Sequence, residues 1–219
     1  MNTVTKVAII GLGNIGKAVA TNLTKGNHPV IIASRELSKA QEFSLQLGDL
    51  ALAKEITEAI KQADVIIPTI YYDKIKEFLK TYAKELQGKI IIDVSNPIAP
   101  DDNGGFKKII DQNQSAGKIL SALLPPSSIL VKAFGTLAAA TLTNAAFNTP
   151  ERKVLFYASD NIKTNKVVEE LITASGFVPF HIGGIDQSIR IEVFGDLHEF
   201  GALGKTVTLD EARQIVTNS

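Results

Sequence analysis

Short apolar runs, separated by polar turns and amphipathic stretches, set the rhythm of this chain. Val7-Ala8-Ile9-Ile10 shows no polar alternation, which is the mark of a strand covered on both faces of a sheet. Ile15, Val19, Ala20 and Leu23 then recur at helical spacing, and Val30 to Ala33 is a second apolar run. A helix through Ala40, Phe43 and Leu47 follows. Leu50 to Ala53 reads as a third strand and Ile56 to Ile60 as a helix leading away from it. Ala63 to Ile70 is the fourth strand, Tyr71 to Tyr82 a helix with Ile75, Phe78 and Leu79 on one face, and Lys89 to Val94 the fifth strand. Ala99 to Gly105 reads as a polar loop, with Asp101-Asp102-Asn103-Gly104-Gly105 as solvated turn chemistry rather than a metal site. Ile119, Leu120, Leu123 and Leu124 mark a helix that stops at Pro125-Pro126, and Ile129 to Phe134 is the sixth strand. The alanine-rich run to Ala146 fits a helix or a packed loop. Val154 to Ala158, Ile162 to Ser175 and Phe177 to Ile182 then repeat strand, helix and strand. A glycine-rich segment, Leu197 to Gly204, and an amphipathic tail complete the pattern.

Strands and helices alternating with short connections imply an α/β fold, a Rossmann-like doubly wound and mostly parallel sheet with a C-terminal extension. No linker composition interrupts it. Residues 1–219 are therefore expected to form a single domain, with 151–219 extending the same sheet and adding a lid and a tail helix. In such a sheet the ligand lies beyond the carboxyl ends of the strands, where strand order reverses. That places Gly11 to Gly16, Ser34-Arg35, Thr69-Ile70-Tyr71, Ser95-Asn96-Pro97 and Phe134-Gly135-Thr136 at the expected site.

The first of these segments carries chemistry. Gly11-Leu12-Gly13-Asn14-Ile15-Gly16 fits G-x-G-x-x-G, directly after a strand and opening a helix, which is the context that makes the motif meaningful. Gly11 permits the tight turn, Gly13 a close backbone approach to a pyrophosphate, and Gly16 close helix–strand contact. The helix start offers free N–H groups and a positive dipole end. At the end of the second strand an NAD-preferring site carries Asp or Glu to meet the ribose hydroxyls. This chain has Ala33-Ser34-Arg35, with Lys39 one helical turn later. A hydroxyl, a guanidinium and an ammonium suit the extra 2′-phosphate of NADP instead.

Composition narrows the remainder. At 219 residues the chain can bury a sizeable core, and a formal net charge of zero gives no reason to expect nucleic acid or an anionic membrane as partner. The absence of cysteine excludes disulfides, thiolate metal sites, iron–sulfur clusters and a cysteine nucleophile. No apolar run reaches membrane-spanning length and the N-terminus leads straight into a strand, so the expectation is a cytoplasmic protein with no membrane partner and no bound metal.

Taken together, GLGNIG, ASR with Lys39, IIIDVSNP, and LVKAF before a Gly-Thr turn resemble the NADPH-dependent reductases of the deazaflavin coenzyme F420. They are similar also to the NADPH-binding domain of the six-transmembrane ferric reductases. The likeness runs over roughly residues 4–200, specific in motif in the N-terminal half and in pattern only after Ala146. It implies hydride transfer between NADP(H) and a small-molecule electron acceptor, a flavin or deazaflavin as co-substrate, in a homodimer. By the same resemblance Gly11, Gly13, Asn14, Ile15 and Gly16 meet the pyrophosphate, and Ser34, Arg35 and Lys39 hold the 2′-phosphate. Thr69, Ile70 and Tyr71 line the nicotinamide side, Ser95, Asn96 and Pro97 face it, and Phe134, Gly135, Thr136 and Leu137 border the acceptor pocket. The chain departs from both relatives at Gly135, where the deazaflavin reductases tend to carry histidine and the ferric-reductase domains asparagine.

Hydride transfer to a flavin-type acceptor needs positioning and electrostatics but no obligatory acid or base, whereas a carbonyl or imine substrate needs a proton donor. His28 stands at the wrong end of its strand and reads as structural, and His181 as a packing or surface group. His198, in the glycine-rich lid, and Lys132, within a strand, are the candidates for a donor. Tyr71 and Tyr72 open a helix, where one packs and the other can stack on a ring. None forms a recognisable catalytic pair, so no catalytic residue is assigned. Reduction of a small carbonyl or imine, and a non-catalytic NADP(H) sensor, stand as the alternatives.

Overall fold

The computed structural model describes residues 4–217. In chain order β1 (Val7–Ile10), α1 (Asn14–Lys25), β2 (Val30–Ala33), α2 (Leu37–Leu47) and β3 (Ala51–Ala53) form the first half-turn of winding. The chain then crosses by α3 (Ile56–Gln62) to β4 (Val65–Pro68), α4 (Tyr72–Thr81), the short α5 (Ala83–Leu86) and β5 (Ile90–Asp93). A hairpin of β6 (Ile98–Pro100) and β7 (Phe106–Lys108) precedes α6 (Ala116–Ser121), β8 (Ile129–Lys132) and α7 (Ala139–Asn144). β9 (Val154–Ser159), α8 (Ile162–Ala174), β10 (Val178–His181), a 3-10 turn at Ile185–Ile191 and α9 (Leu209–Thr217) complete the described chain.

Eight strands make one sheet in the order β10-β9-β8-β5-β4-β1-β2-β3. Parallel pairing runs from β3 through β2, β1, β4 and β5 to β8. β9 joins β8 antiparallel, through Val131↔Ser159 and Lys132↔Ala158, and β10 runs parallel to β9. The fold is thus Rossmann-like, doubly wound and mostly parallel. Since β1 pairs with β2 on one side and β4 on the other, strand order reverses at β1, and the switch-point crevice opens between β1 and β4.

Burial explains the unbroken apolar runs. Val7 and Ile9 point into a core with Val19, Leu23, Leu171 and Ile172, whereas Ala8 and Ile10 point into a second core with Ile66, Ile75, Leu79 and Leu120. Alternate residues of one strand therefore serve opposite faces, and neither face is wet. A third cluster around Phe156, Ile191, Leu197 and Val207 ties the C-terminal segment to the same sheet.

Several elements differ from the sequence expectation. The loop at Ala99 to Gly105 is instead a hairpin: Ile98↔Lys108 and Pro100↔Phe106 pair, and Asp101 Oδ1 accepts the Asn103 and Gly105 N–H groups at the turn. The helix expected through Leu124 ends at Ser121, with turns carrying Leu123 and Leu124 to Pro125. β4 stops at Pro68 and β8 at Lys132, so Thr69-Ile70-Tyr71 and Ala133-Phe134 are already loop. Ile185–Ile191, unassigned by pattern, is 3-10 helical.

Candidate active site

The glycine turn is held from both neighbouring strands. Gly11 N–H donates to Ala33 O of β2 at 2.8 Å, and Thr69 N–H, just past β4, donates to Ile10 O at 2.8 Å. Gly11 has φ +108°, and a Cβ there would meet Thr69 O at 2.7 Å, so the position requires glycine. Gly16 is buried, and a Cβ would run into Gly11 O. Gly13 is the opposite case: it is exposed, with nothing within 4 Å of where a Cβ would stand. It forms the N-cap of α1 and no side chain caps that helix, so the first N–H groups face an open approach. Asn14 is exposed beside it, and Ile15 packs on the core.

At the end of β2, Ser34 is half-buried and Arg35 and Lys39 are exposed. Ser34 Oγ donates to Glu36 O at 2.5 Å, and Lys39 Nζ lies 2.7 Å from Glu36 Oε1. Arg35 has no ion-pair partner among the described residues. An open glycine, an uncapped helix start and a free guanidinium supply room, donors and positive charge for the phosphates of a dinucleotide.

On the other side of the crevice Thr69 Oγ1 donates to Gly11 O at 2.6 Å, so its hydroxyl braces the turn from below. Ile70 is half-buried and Tyr71, 85% exposed, stands on the lip. Tyr72 packs inward. Its phenol is pushed up by burial first and by the Glu192 and Asp93 charges second, which keeps it protonated.

The loop after β5 rests on a buried ion pair. Asp93 and Lys132 are register partners on β5 and β8, 1% exposed, with Nζ 2.6 Å from Oδ2. Asp93 Oδ1 accepts the Ser95 N–H at 2.9 Å, and Lys132 Nζ also donates to Ser95 O. Lys132 therefore clamps the Ser95 backbone and is no proton donor in a pocket. Asn96 Nδ2 donates to Gly135 O at 2.9 Å, its Oδ1 accepts the Val193 N–H at 2.8 Å, and Pro97 is buried.

Phe134, Gly135, Thr136 and Leu137 are buried beneath the segment from Val193 to Glu199. Phe134 is left-handed at φ +61°. A Cβ on Gly135 would meet Val94 O at 2.5 Å, so a larger residue there requires the β5 loop to retreat. His198 is 2% exposed: Nε2–H donates to Gly135 O at 3.0 Å and Nδ1 accepts the Phe200 N–H at 2.9 Å. Burial drives its pKa down to about 4, so the ring is neutral at ordinary pH. It is a fixed structural group, not a donor on a mobile lid. His28 bonds Thr5 O, and His181 stacks on Tyr157 with Nε2 on Ser159 O.

Sequence reasoning missed four acidic residues. Glu36 sits inside the Arg35–Lys39 cluster. Asp93 closes the apolar run IIID as Lys132 closes ILVK, 39 positions later. Glu192, 1% exposed, accepts the Ala116 and Gly117 N–H groups at 2.9 and 3.0 Å, and Glu199 accepts from Ala138 N–H and Thr141 Oγ1 at 2.7 and 2.6 Å. Each caps a helix far away in sequence. A surface cleft of about 590 Å³ beside Gly26, Phe147, Arg152 and Thr173 contains none of the strand-end residues. No helix among the described residues is long and apolar enough to cross a membrane, and no group of three or more potential metal ligands occurs among them.

Residues 6–97 match the family described as NADP oxidoreductase, coenzyme F420-dependent. The chain is 28% identical over 187 residues to the metalloreductase STEAP3 of Rattus norvegicus, covering 85% of this chain and 36% of that protein. It spans about a third of the length of the metalloreductases it matches. It is 25% identical over 203 residues to the F420-dependent NADP reductase of Methanocaldococcus jannaschii, covering 88% of this chain and 90% of the relative. The crystal structure of a hypothetical protein from Sinorhizobium meliloti superposes with a TM-score of 0.77 at 30% identity, covering 93% of this chain and 95% of the other.

Proposed function

From the match of residues 6–97 to the coenzyme F420-dependent NADP oxidoreductases, we propose that this chain is an NADP-dependent oxidoreductase moving hydride between NADP(H) and a flavin- or deazaflavin-type acceptor. Gly11, Gly13, Asn14, Ile15 and Gly16 hold the pyrophosphate against the uncapped start of α1. Ser34, Arg35 and Lys39 hold the 2′-phosphate. Thr69, Ile70 and Tyr71 on one side, and Ser95, Asn96 and Pro97 on the other, confine the nicotinamide. Phe134, Gly135, Thr136 and Leu137 back the acceptor side from beneath the 193–199 segment.

The cofactor supplies the hydride when bound, and the protein's part is placement. The Asp93–Lys132 clamp fixes the Ser95 backbone, Asn96 is pinned at both ends of its amide, and the Thr69 hydroxyl supports the glycine turn. A rigid floor of this kind holds donor and acceptor rings at a set distance and excludes water between them. One observation carries the acceptor class. The two candidate proton donors, His198 and Lys132, are both buried and tied to the protein's own carbonyl or carboxylate groups. A carbonyl or imine would need such a donor, whereas a flavin-type acceptor does not.

The test is NADPH oxidation followed by absorbance, with free flavins, the deazaflavin and ferric chelates offered in parallel. Turnover with a flavin or deazaflavin is expected. Turnover with none of them, while NADPH still binds, overturns the acceptor assignment; a failure to bind NADPH overturns the whole reading.

A further inference from the structure

Two of the three side chains assigned to the 2′-phosphate are already engaged, and by one residue. Glu36 takes the Ser34 hydroxyl on its main-chain oxygen at 2.5 Å and Lys39 Nζ on its carboxylate at 2.7 Å. Arg35 alone is free of such a contact. Resting on the NADP(H) reading above, we propose that Glu36 is an internal competitor for the 2′-phosphate, and so a determinant of how strongly the site discriminates between the two nicotinamide dinucleotides.

The geometry makes the competition direct. Glu36 is the N-cap residue of α2, in extended backbone at φ −109° and ψ 105°, and Lys39 lies three residues on, within the first turn. The carboxylate thus lies against the ammonium that an incoming phosphate would take. Both side chains are largely in water, 61% exposed for Glu36 and 65% for Lys39, so their pair is weak and exchanges readily. A phosphate monoester carries close to two negative charges at neutral pH and can take the lysine over. The displaced carboxylate stays beside it as a like charge. An adenosine ribose without the phosphate has nothing to gain from Lys39 and nothing to fear from Glu36. The residue therefore weakens NADPH selectively, and the cofactor preference of the protein is the basic pair's attraction less this internal opposition.

Glu36→Gln removes the charge while keeping side-chain length. Dissociation constants for NADPH and NADH, read by the change in dinucleotide fluorescence, are compared across the wild type, Glu36→Gln, Lys39→Ala and the double variant. Circular dichroism melting confirms that each remains folded. The expected result is NADPH binding tightened about two- to five-fold by Glu36→Gln, the range an exposed charge contact supports. NADH binding changes less than two-fold, and the NADPH gain shrinks when Lys39 is absent. Unchanged or weaker NADPH binding in Glu36→Gln, with wild-type NADPH binding intact, overturns the competitor role alone. Loss confined to NADH also overturns it, since Glu36 would then be a ribose ligand. If the wild type binds neither dinucleotide, the cofactor reading itself falls and takes this inference with it.

Discussion

His198 offers a sharp test of how the C-terminal segment is held. The folded ring has its pKa lowered by burial to about 4, against 6.5 for the free side chain. The unfolded chain therefore takes up a proton first as pH falls. The neutral-ring contribution is fully present above pH 6.5, declines as pH drops toward 4, and is constant below that. Between pH 8 and pH 5 the two values give a loss of about 2 kcal/mol, out of a limit on the order of 3 kcal/mol. Burial is the main cause, and the ring has no room for a second proton, because Nδ1 already accepts the Phe200 N–H at 2.9 Å. In His198→Asn the amide oxygen can still accept from Phe200, two residues on, while the bond to Gly135 O is lost. That carbonyl keeps Asn96 Nδ2, so the variant should be less stable at pH 8 by about 1–3 kcal/mol, from one hydrogen bond and some lost packing. Urea unfolding of both proteins at pH 8, 7, 6 and 5 separates the effects. His28, also lowered by burial, titrates in both and cancels. The wild type should lose about 2 kcal/mol more than the variant over this range. Equal pH slopes would refute the reasoning, because they would mean that His198 is no more buried than an ordinary surface histidine.

Further outcomes concern the phosphate end, the glycine turn and the buried ion pair. Arg35→Ala should weaken NADPH binding roughly 10- to 150-fold, the loss of one charged hydrogen bond, with NADH nearly unchanged in the same titration; equal losses for both would dismiss the 2′-phosphate role. Gly13→Ala should melt like the wild type yet bind NADPH weakly, whereas Gly16→Ala, whose Cβ meets Gly11 O, should lose about 1–3 kcal/mol of stability in urea unfolding. Lys132→Met should cost about 3–5 kcal/mol by stranding Asp93 in the core, with much of that recovered in Lys132→Met/Asp93→Asn; a null effect in the single variant would disprove the buried pair.

What could be read from sequence tracks the distance over which each feature is decided. β1, the glycine turn and α1 are written within a few consecutive residues, by an apolar run, three glycines and helical spacing, and the structure forms them there. The β6–β7 hairpin escaped because its strands are three residues each, one ending in proline, too short for any periodicity to show. Lys132 reads as a donor candidate from sequence because its burial depends on its register partner Asp93, 39 positions earlier. His198 looked like a lid group for the same reason: Gly135, which occupies Nε2, is 63 positions away. Glu36 was passed over as one more solvated charge, since nothing in the letters says that Ser34 and Lys39 both turn toward it. Local chemistry was legible; the commitments of polar groups to remote partners were not.

The straps across the ends of β5 and β8 also order events during synthesis. Val193 N–H reaches back 97 positions to Asn96, His198 reaches 63 to Gly135, and Glu199 reaches 61 to Ala138. A ribosome delivers the chain from its N-terminus, so β1 to β5 and the glycine turn are available to pair long before these residues emerge. The core beneath the glycine turn closes once Leu171 and Ile172 of α8 arrive, and the far wall is sealed only when the last strap is released. A nascent chain stalled short of Val193 would thus carry an assembled phosphate cradle beside an unroofed Asn96 and Gly135.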